Sequence, residues 1–315
     1  NSSRVTEFLL LGFSSFGELQ PVLFVLFLSL YLIILSGNFT IISVIRLDRS
    51  LHTPMYFFLC VLSTSEVFYT IVILPKMLIN LLSVLRTLSF TSCATQMFFF
   101  LGFGITNCLL LGVMGYDRCT AICQPLRYPV LMSWRVHMNP TFCAQLVGTS
   151  FLTGYLFGLG MTLVIFQLPF CGSHEIQHFF CDTPPVLSLA CGDTGPSELG
   201  ILILSLLVLL VSFCSITISY AYILTAILRI PSAKGRKKAF STCASHLTVV
   251  IVHYGCASFM YLRPKASYSL ERDQLIAVTY TVVTPLLNPI VYSLRNRAVQ
   301  TALRSAFRGK LLGRG

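Results

Sequence analysis

Residues 199–228 read LGILILSLLVLLVSFCSITISYAYILTAIL, a run of 30 without one charged side chain. As a helix it exceeds the roughly 20 residues needed to cross about 30 Å of hydrocarbon. Working outward, the reading recurs. Uncharged runs cover 19–45, 87–116, 136–174, 239–262 and 274–294, and 55–78 joins them if Glu66 and Lys76 are tolerated inside it. Within 136–174 only 141–166 spans, because His137, Asn139 and Pro140 precede that stretch and Pro169, Cys171 and Gly172 follow it.

The composition agrees: 55% of the chain is hydrophobic and 10% charged, against roughly 25% charged in a soluble domain. Lipid leaves no backbone donor or acceptor bare, so these runs should be helices; β-barrel strands would be about half as long. The expected fold is an all-α membrane protein, one seven-transmembrane helix bundle over 1–315 with spans near 22–46, 55–79, 93–119, 141–166, 199–229, 239–262 and 274–294. A short amphipathic C-terminal helix is expected near 296–307. The first span starts too late, and lacks the small-residue cleavage site, for a removable signal peptide, so it reads as a permanent anchor.

Charge gives the orientation. Segments after spans 1, 3, 5 and 7 hold 16 of the 22 Lys and Arg; the other face holds 5, and Lys76 lies within span 2. Basic residues mark the cytoplasmic side, so the N-terminus is extracellular. Of 11 acids, 8 lie outside, and of the rest only Asp48 and Asp117 lie on the inner side. The net charge of +11 does not point to nucleic acid, because every basic cluster abuts a span; anionic membrane lipid accounts for most of it.

Outside, the loop 167–198 carries Cys171, Cys181 and Cys191, with Cys93 within reach at the start of span 3. An oxidising face suggests two disulfides, and spacing leaves three pairings open. His174 and His178 in the same loop could ligate zinc or copper, but thiols held as disulfides are lost to a metal. Asn1 opens a glycosylation sequon; the Asn38 sequon lies inside span 1, beyond that machinery.

Polar residues inside a membrane are functional candidates. Glu66, with Asn38, Asn107 and Asn288 at similar depth as its expected partners, forms a polar centre that either holds a proton or a sodium-like ion or simply joins helices. Span 6 adds Ser241, Ser245, His246 and His253, and span 7 adds Thr281 and Thr284, with Pro285 and Pro289 as kink points. Asp117 is expected to hold the guanidinium of Arg118 at the cytoplasmic edge.

The motifs fall in a telling order. Gly37-Asn38, Leu51-His-Thr-Pro-Met-Tyr56, Pro75-Lys-Met-Leu78 and Met114-Gly-Tyr-Asp-Arg-Cys-Thr-Ala-Ile-Cys123 are followed by Pro125-Leu-Arg-Tyr-Pro129. Then come Lys238-Ala-Phe-Ser-Thr-Cys-Ala-Ser-His-Leu247, Pro285-Leu-Leu-Asn-Pro-Ile-Val-Tyr292 and Ser293-Leu-Arg-Asn296. In this order the chain resembles the odorant receptors, of the tetrapod-type class II, within the rhodopsin-like G-protein-coupled receptors.

The resemblance implies Cys93–Cys181 and Cys171–Cys191 pairing. It implies that Arg118 meets the G protein on activation, with Asp117, Tyr220, Lys238, Ser241, His246 and Tyr292 rearranging around it. Tyr254 would replace the tryptophan toggle of other rhodopsin-like receptors. This chain departs from the family at Glu66, usually Asp, and Asn107, usually Glu. Cys119 and Thr120 replace Tyr-Val, and Phe151 replaces a tryptophan.

A pocket is expected in the outer half of the bundle. Span 3 offers Phe100, Leu101, Gly104, Ile105 and Cys108 at helical spacing. Resemblance adds Leu204, Val208, Tyr254, Ala257, Ser258, Tyr261, Val278 and Thr281, with Tyr254, Ser258 and Tyr261 as the polar contacts. There is no acid at Phe100 for an amine and no lysine in span 7 for retinal, so the resemblance implies a small, largely apolar volatile as ligand. It further implies no cofactor, a stimulatory, olfactory-type heterotrimeric G protein as partner, a rise in cyclic AMP, and the plasma membrane of olfactory cilia as location. A non-olfactory chemosensor for metabolites or fatty acids is the same-fold alternative. A transporter or channel would need inverted repeats or charges along a pore, and an enzyme a convergent nucleophile and base; the sequence shows neither.

Overall fold

A computed structural model describes residues 5–123, 140–171, 173–262, 270–295 and 299–304. Among the described residues, seven helices are long and apolar enough to cross a membrane. They are α1 (Gln20–Leu47), α2 (Pro54–Leu82), α3 (Phe90–Cys123), α4 (Pro140–Phe166), α5 (Gly195–Leu228), α6 (Ala233–Tyr261) and α7, which runs through Leu270–Val278, a π turn at Thr279–Val283 and Thr284–Arg295. Proline opens or nearly opens α1, α2, α4 and α5, where its missing N–H leaves no orphan donor. Ser232 caps α6 by accepting from the Gly235 N–H at 3.0 Å.

The helices overrun the apolar runs. The largest difference is α6, which begins at Ala233 rather than 239, because Lys and Arg at 234–238 are good helix formers once past the hydrocarbon. Of the C-terminal helix expected at 296–307, residues 299–304 are helical; 296–298 and 305–307, like Asn1, lie outside the described residues.

In lipid, close approach of helices depends on small residues. Helix α3 runs through the middle of the bundle against α2, α4, α5 and α6. At its seam with α4, a Cβ added to Gly154 would lie 2.3 Å from Thr106 Oγ1 and 2.8 Å from the Gly102 carbonyl, and one on Gly158 would lie 3.0 Å from the Gly102 nitrogen. A second seam joins α1 to α7. Pro289 lacks an N–H and so frees the carbonyl of Pro285, which accepts from Asn38 Nδ2 at 3.3 Å. Gly37 makes room for that contact, since a Cβ there would sit 2.9 Å from Pro289 Cβ.

The disulfide-bearing end is more ordered than the sequence suggests. The segment before α1 supplies β1 (Glu7–Leu10), central in a small sheet, antiparallel to β2 (Thr87–Ser89) and parallel to β3 (Glu175–Ile176). The stretch read as a loop at 167–198 therefore contains β3, then a short helix, Thr183–Leu187, and ends where α5 begins at Gly195. Asp182 caps the short helix by accepting from the Thr183 N–H at 2.7 Å. Disulfides join Cys93 to Cys181 and Cys171 to Cys191. Gln96 Oε1 takes the Cys181 N–H at 2.9 Å, fixing the loop a second time to α3.

His178 lies inside this layer, stacked on Phe179 with ring centroids 4.6 Å apart. Burial pushes its imidazole down to about 4, against the upward pull of the Phe180 carbonyl and of Asp273. A base depressed on folding contributes stability that is present above its ordinary value near 6.5 and is lost as pH falls through 4. Asp182 acts in the opposite sense. Burial raises it to about 6, so its contribution grows as pH falls from there.

Two outcomes follow. Gly154→Leu overpacks the α3–α4 seam by about 1–3 kcal/mol or more and removes the receptor from the cell surface, whereas Gly160→Leu, at a position where an added Cβ meets nothing within 4 Å, leaves surface staining unchanged. His178→Phe gains thermal stability relative to the parent as pH is lowered from 6.5 to 4, by at most about 3 kcal/mol, in a melting series of the purified protein.

Candidate functional site

Near the disulfide-bearing end, α2 to α7 enclose a cavity of about 80 Å³, several times the roughly 10–15 Å³ that one water occupies. Nine of the expected residues line it: Phe100, Leu101, Gly104, Ile105 and Cys108 on α3, Leu204 and Val208 on α5, and Ala257 and Tyr261 on α6. Four do not. Thr281 is buried and donates to its own helix at Ala277 O, and Val278 packs in the apolar core. Tyr254 donates to the Cys108 carbonyl at 2.7 Å, and Ser258 lies on another side of α6. The cavity face of α6 is 253, 257 and 261, spaced by four, so Tyr254 and Ser258 are each one position off it.

Tyr69, Met161, Ser205, Leu209, His253 and Tyr280 complete the wall. Sequence reading missed them, although 205 and 209 continue the 204 and 208 stripe and 253 the 257 and 261 stripe. The polar groups here are therefore not the trio expected. His253 Nε2 lies 3.1 Å from Cys108 Sγ, and Ser205 leaves its buried hydroxyl without a protein partner. Tyr261 turns its hydroxyl to Asp182 Oδ1 at 2.9 Å, and Tyr280 turns its own to Oδ2 at 2.5 Å.

Asp182 was not foreseen as a wall-organising acid. The Cys93–Cys181 bond brings it over the bundle, and the neighbouring Phe180 ring meets Phe100 edge-on at 4.9 Å. Burial raises its carboxyl to about 6, while the hydroxyls of Tyr280 and Tyr261 and the Thr183 N–H favour the charged form. Both oxygens are thus engaged by tyrosines that line the cavity.

Deeper in, the polar centre is smaller than expected. Asn288 Nδ2 donates to Glu66 Oε1 at 3.1 Å, but Asn107 accepts from Ser65 Oγ at 2.6 Å and Asn38 bonds the Ile34 and Pro285 carbonyls. Asn38 and Asn107 are thus not Glu66 partners: freed or nearby groups on their own neighbours satisfy them first. Oε2 of Glu66 and the Oδ1 atoms of Asn38 and Asn288 are buried acceptors without a protein donor.

At the opposite end Asp117 and Arg118 are buried, at 1% and 4% exposure, yet Oδ1 of one and Nε of the other lack partners. The expected clasp is a through-space attraction and not a hydrogen bond, since adjacent residues on a helix point in different directions. Tyr220 instead meets His246, hydroxyl to Nδ1 at 2.8 Å, joining α5 to α6. Ser241 lies on the exposed side of α6. The side chains of Lys238 and Tyr292 lie outside the described residues. His246 and His253 share a helix but bond different partners, and among the described residues no three metal-ligating side chains cluster.

Comparison with known proteins bears on this arrangement. The family model described as olfactory receptor matches residues 27–310. Human olfactory receptor 10Z1 is 74% identical over 315 residues, covering 100% of this chain and 99% of its own length. Human olfactory receptor 10R2 is 64% identical over 314 residues, covering 100% and 90%. A crystal structure of squid rhodopsin superposes with a TM-score of 0.62 at 17% identity, covering 91% of this chain and 87% of its own, which supports the seven-helix fold. The chain belongs to the olfactory receptor family, G-protein-coupled receptors that cross the plasma membrane seven times and signal rather than catalyse.

Proposed function

We propose that the cavity between α3, α5 and α6 is the odorant site and that its ligand is a small, largely apolar volatile bearing one hydrogen-bonding oxygen. The observation that carries this is Ser205: its hydroxyl is buried in the wall of a largely apolar hollow and, unlike those of Ser150 and Ser212, is not turned to the carbonyl four residues back. An unpaired buried hydroxyl costs about 1–3 kcal/mol, which a ligand alcohol or carbonyl recovers and a hydrocarbon does not. The small volume limits apolar burial, at about 25 cal/mol per Å², so micromolar affinity is expected. No lysine or arginine is among the lining residues to meet a fatty acid carboxylate.

The proposed output is a stimulatory, olfactory-type G protein and a rise in cyclic AMP. Ligand drawn against His253, Ala257 and Tyr261 bears on α6, which also carries His246 at the far end. A ligand shifts such an equilibrium only by binding one arrangement better, and the arrangement favoured here is the one that releases Arg118 to the G protein.

An odorant panel on cells carrying the olfactory G protein and a trafficking chaperone tests both halves. Alcohols, aldehydes or ketones should act at micromolar concentration while hydrocarbons of equal size stay silent. Ser205→Ala should lower potency about tenfold with surface staining intact. Equal responses to the hydrocarbons, or unchanged potency in that variant, would overturn the ligand assignment. Arg118→Ala should abolish the cyclic AMP response at normal surface level, and retained signal there would sink the coupling mechanism.

A further inference from the structure

A second hollow lies on the flank of the bundle, between the stretches of α3, α4 and α5 that lead toward Arg118. At about 730 Å³ it falls within the roughly 300–1,000 Å³ usual for sites of small organic molecules, and it shares no lining residue with the cavity above. It opens sideways: Tyr116, Gln145, Thr149 and Ser215 line it and are exposed on the surface that faces hydrocarbon.

The hollow exists because its residues are small. A Cβ added to Gly112 would meet nothing within 4 Å, and α5 contributes Ser212 and Ser215 beside a lipid-facing run of Leu206, Leu207, Leu210, Val211 and Phe213. Its polar groups divide into two kinds. Helical Ser and Thr can turn to the carbonyl four residues back, as Ser150 does to Leu146 at 2.8 Å and Ser212 to Val208 at 2.9 Å. The amide of Gln145 and the phenol of Tyr116 have no such recourse, and neither has a hydrogen-bond partner among the described residues. An amide without a partner in hydrocarbon costs several kcal/mol.

Position adds a direction. Gln145 lies about 7 Å along α4 from its start at Pro140, and Tyr116 precedes Arg118 by about half a turn. Both lie toward the inner-leaflet end of the groove, where Phe142 also lines it; beyond them Val113, Leu146 and Val211 make an apolar wall.

We propose that this groove binds a membrane sterol, with the sterol hydroxyl between Gln145 and Tyr116 and the ring system lying over Gly112 and Val113. One hydroxyl supplies both a donor and an acceptor, which an amide and a phenol can share. A rigid ring body gives up little freedom on docking. An acyl chain must freeze several rotors and brings no donor to the amide. An occupied groove ties α3, α4 and α5 together about one turn from Tyr220 and Arg118, so sterol content bears on the signalling end of the receptor.

The test uses the full-length receptor in cell membranes, irradiated with a diazirine-bearing cholesterol analogue and mapped by peptide mass spectrometry. Adducts should concentrate in 109–116, 142–153 and 211–215, and excess cholesterol should displace them. They should fall about tenfold in Gly112→Leu and in Ser215→Leu, which fill the groove from different helices, and several-fold in Gln145→Leu. Having two filling variants keeps the test decisive if one fails to reach the membrane. Adducts spread evenly around the bundle, adducts that survive both filling variants, or adducts displaced by dioleoylglycerol rather than cholesterol would overturn the proposal. So would Gln145→Cys receptors that cross-link to one another through this face.

Discussion

The bond between Cys93 and Cys181 decides the geometry of the whole disulfide-bearing end. It fastens the long loop to the first turn of α3, and the Gln96 side chain repeats the attachment at the Cys181 N–H. The residues on either side then have little freedom. Phe180 comes down on Phe100, and Asp182 arrives between α6 and α7, where Tyr261 and Tyr280 engage its two oxygens. A carboxylate brought out of water needs such partners, because burial alone drives it toward its neutral form. Three elements distant in sequence are thus joined at one side chain, which closes the cavity beneath.

The same rule, that a polar group away from water must be matched, organises the inside of the bundle. Pro289 breaks the hydrogen-bond ladder of α7 and Asn38 of α1 repairs it, a contact possible only because Gly37 lets the helices meet. Asn288 reaches Glu66, and Ser65 reaches Asn107. Interhelical bonds of this kind contribute only about 0.6 kcal/mol each on average. Their role is less total stability than choice of register: a rotation of any one helix leaves several acceptors bare together. Glu66 Oε2 and the Oδ1 atoms of Asn38 and Asn288 take no protein donor in this register.

Seven spans were legible from hydropathy alone because the hydrocarbon imposes one length and one secondary structure on every crossing. Helix ends were not, since Lys234 to Lys238 extend α6 without any apolar signal. The cavity stripe on α3 was readable from spacing, as one helix face repeats on a fixed period. On α6, where the residues came from the resemblance, Ala257 and Tyr261 line the cavity, Tyr254 and Ser258 stand one position off it and His253 was missed. Periodicity gives the interval of a stripe but not its phase, and phase comes from the neighbours. Asp182 and strand β1 escaped for a different reason: both depend on loop segments brought together by disulfides and by pairing partners far away in sequence.

Helix α6 carries the remaining step from site to signal. His253 faces Cys108 in the cavity wall, Tyr254 holds the carbonyl of that same cysteine, and His246, two turns or about 10 Å away, holds Tyr220 of α5. The Tyr220 hydroxyl also reaches the Cys243 carbonyl at 3.4 Å, so α6 is tied to α3 and α5 at a few discrete polar points that can break one at a time. A helix has little give along its length, and under the proposed function a ligand that pulls the His253 face inward also turns the His246 face. Nearby, Arg118 Nε is buried without a protein partner. A few kcal/mol of differential ligand contact is enough to choose between two arrangements of such a helix.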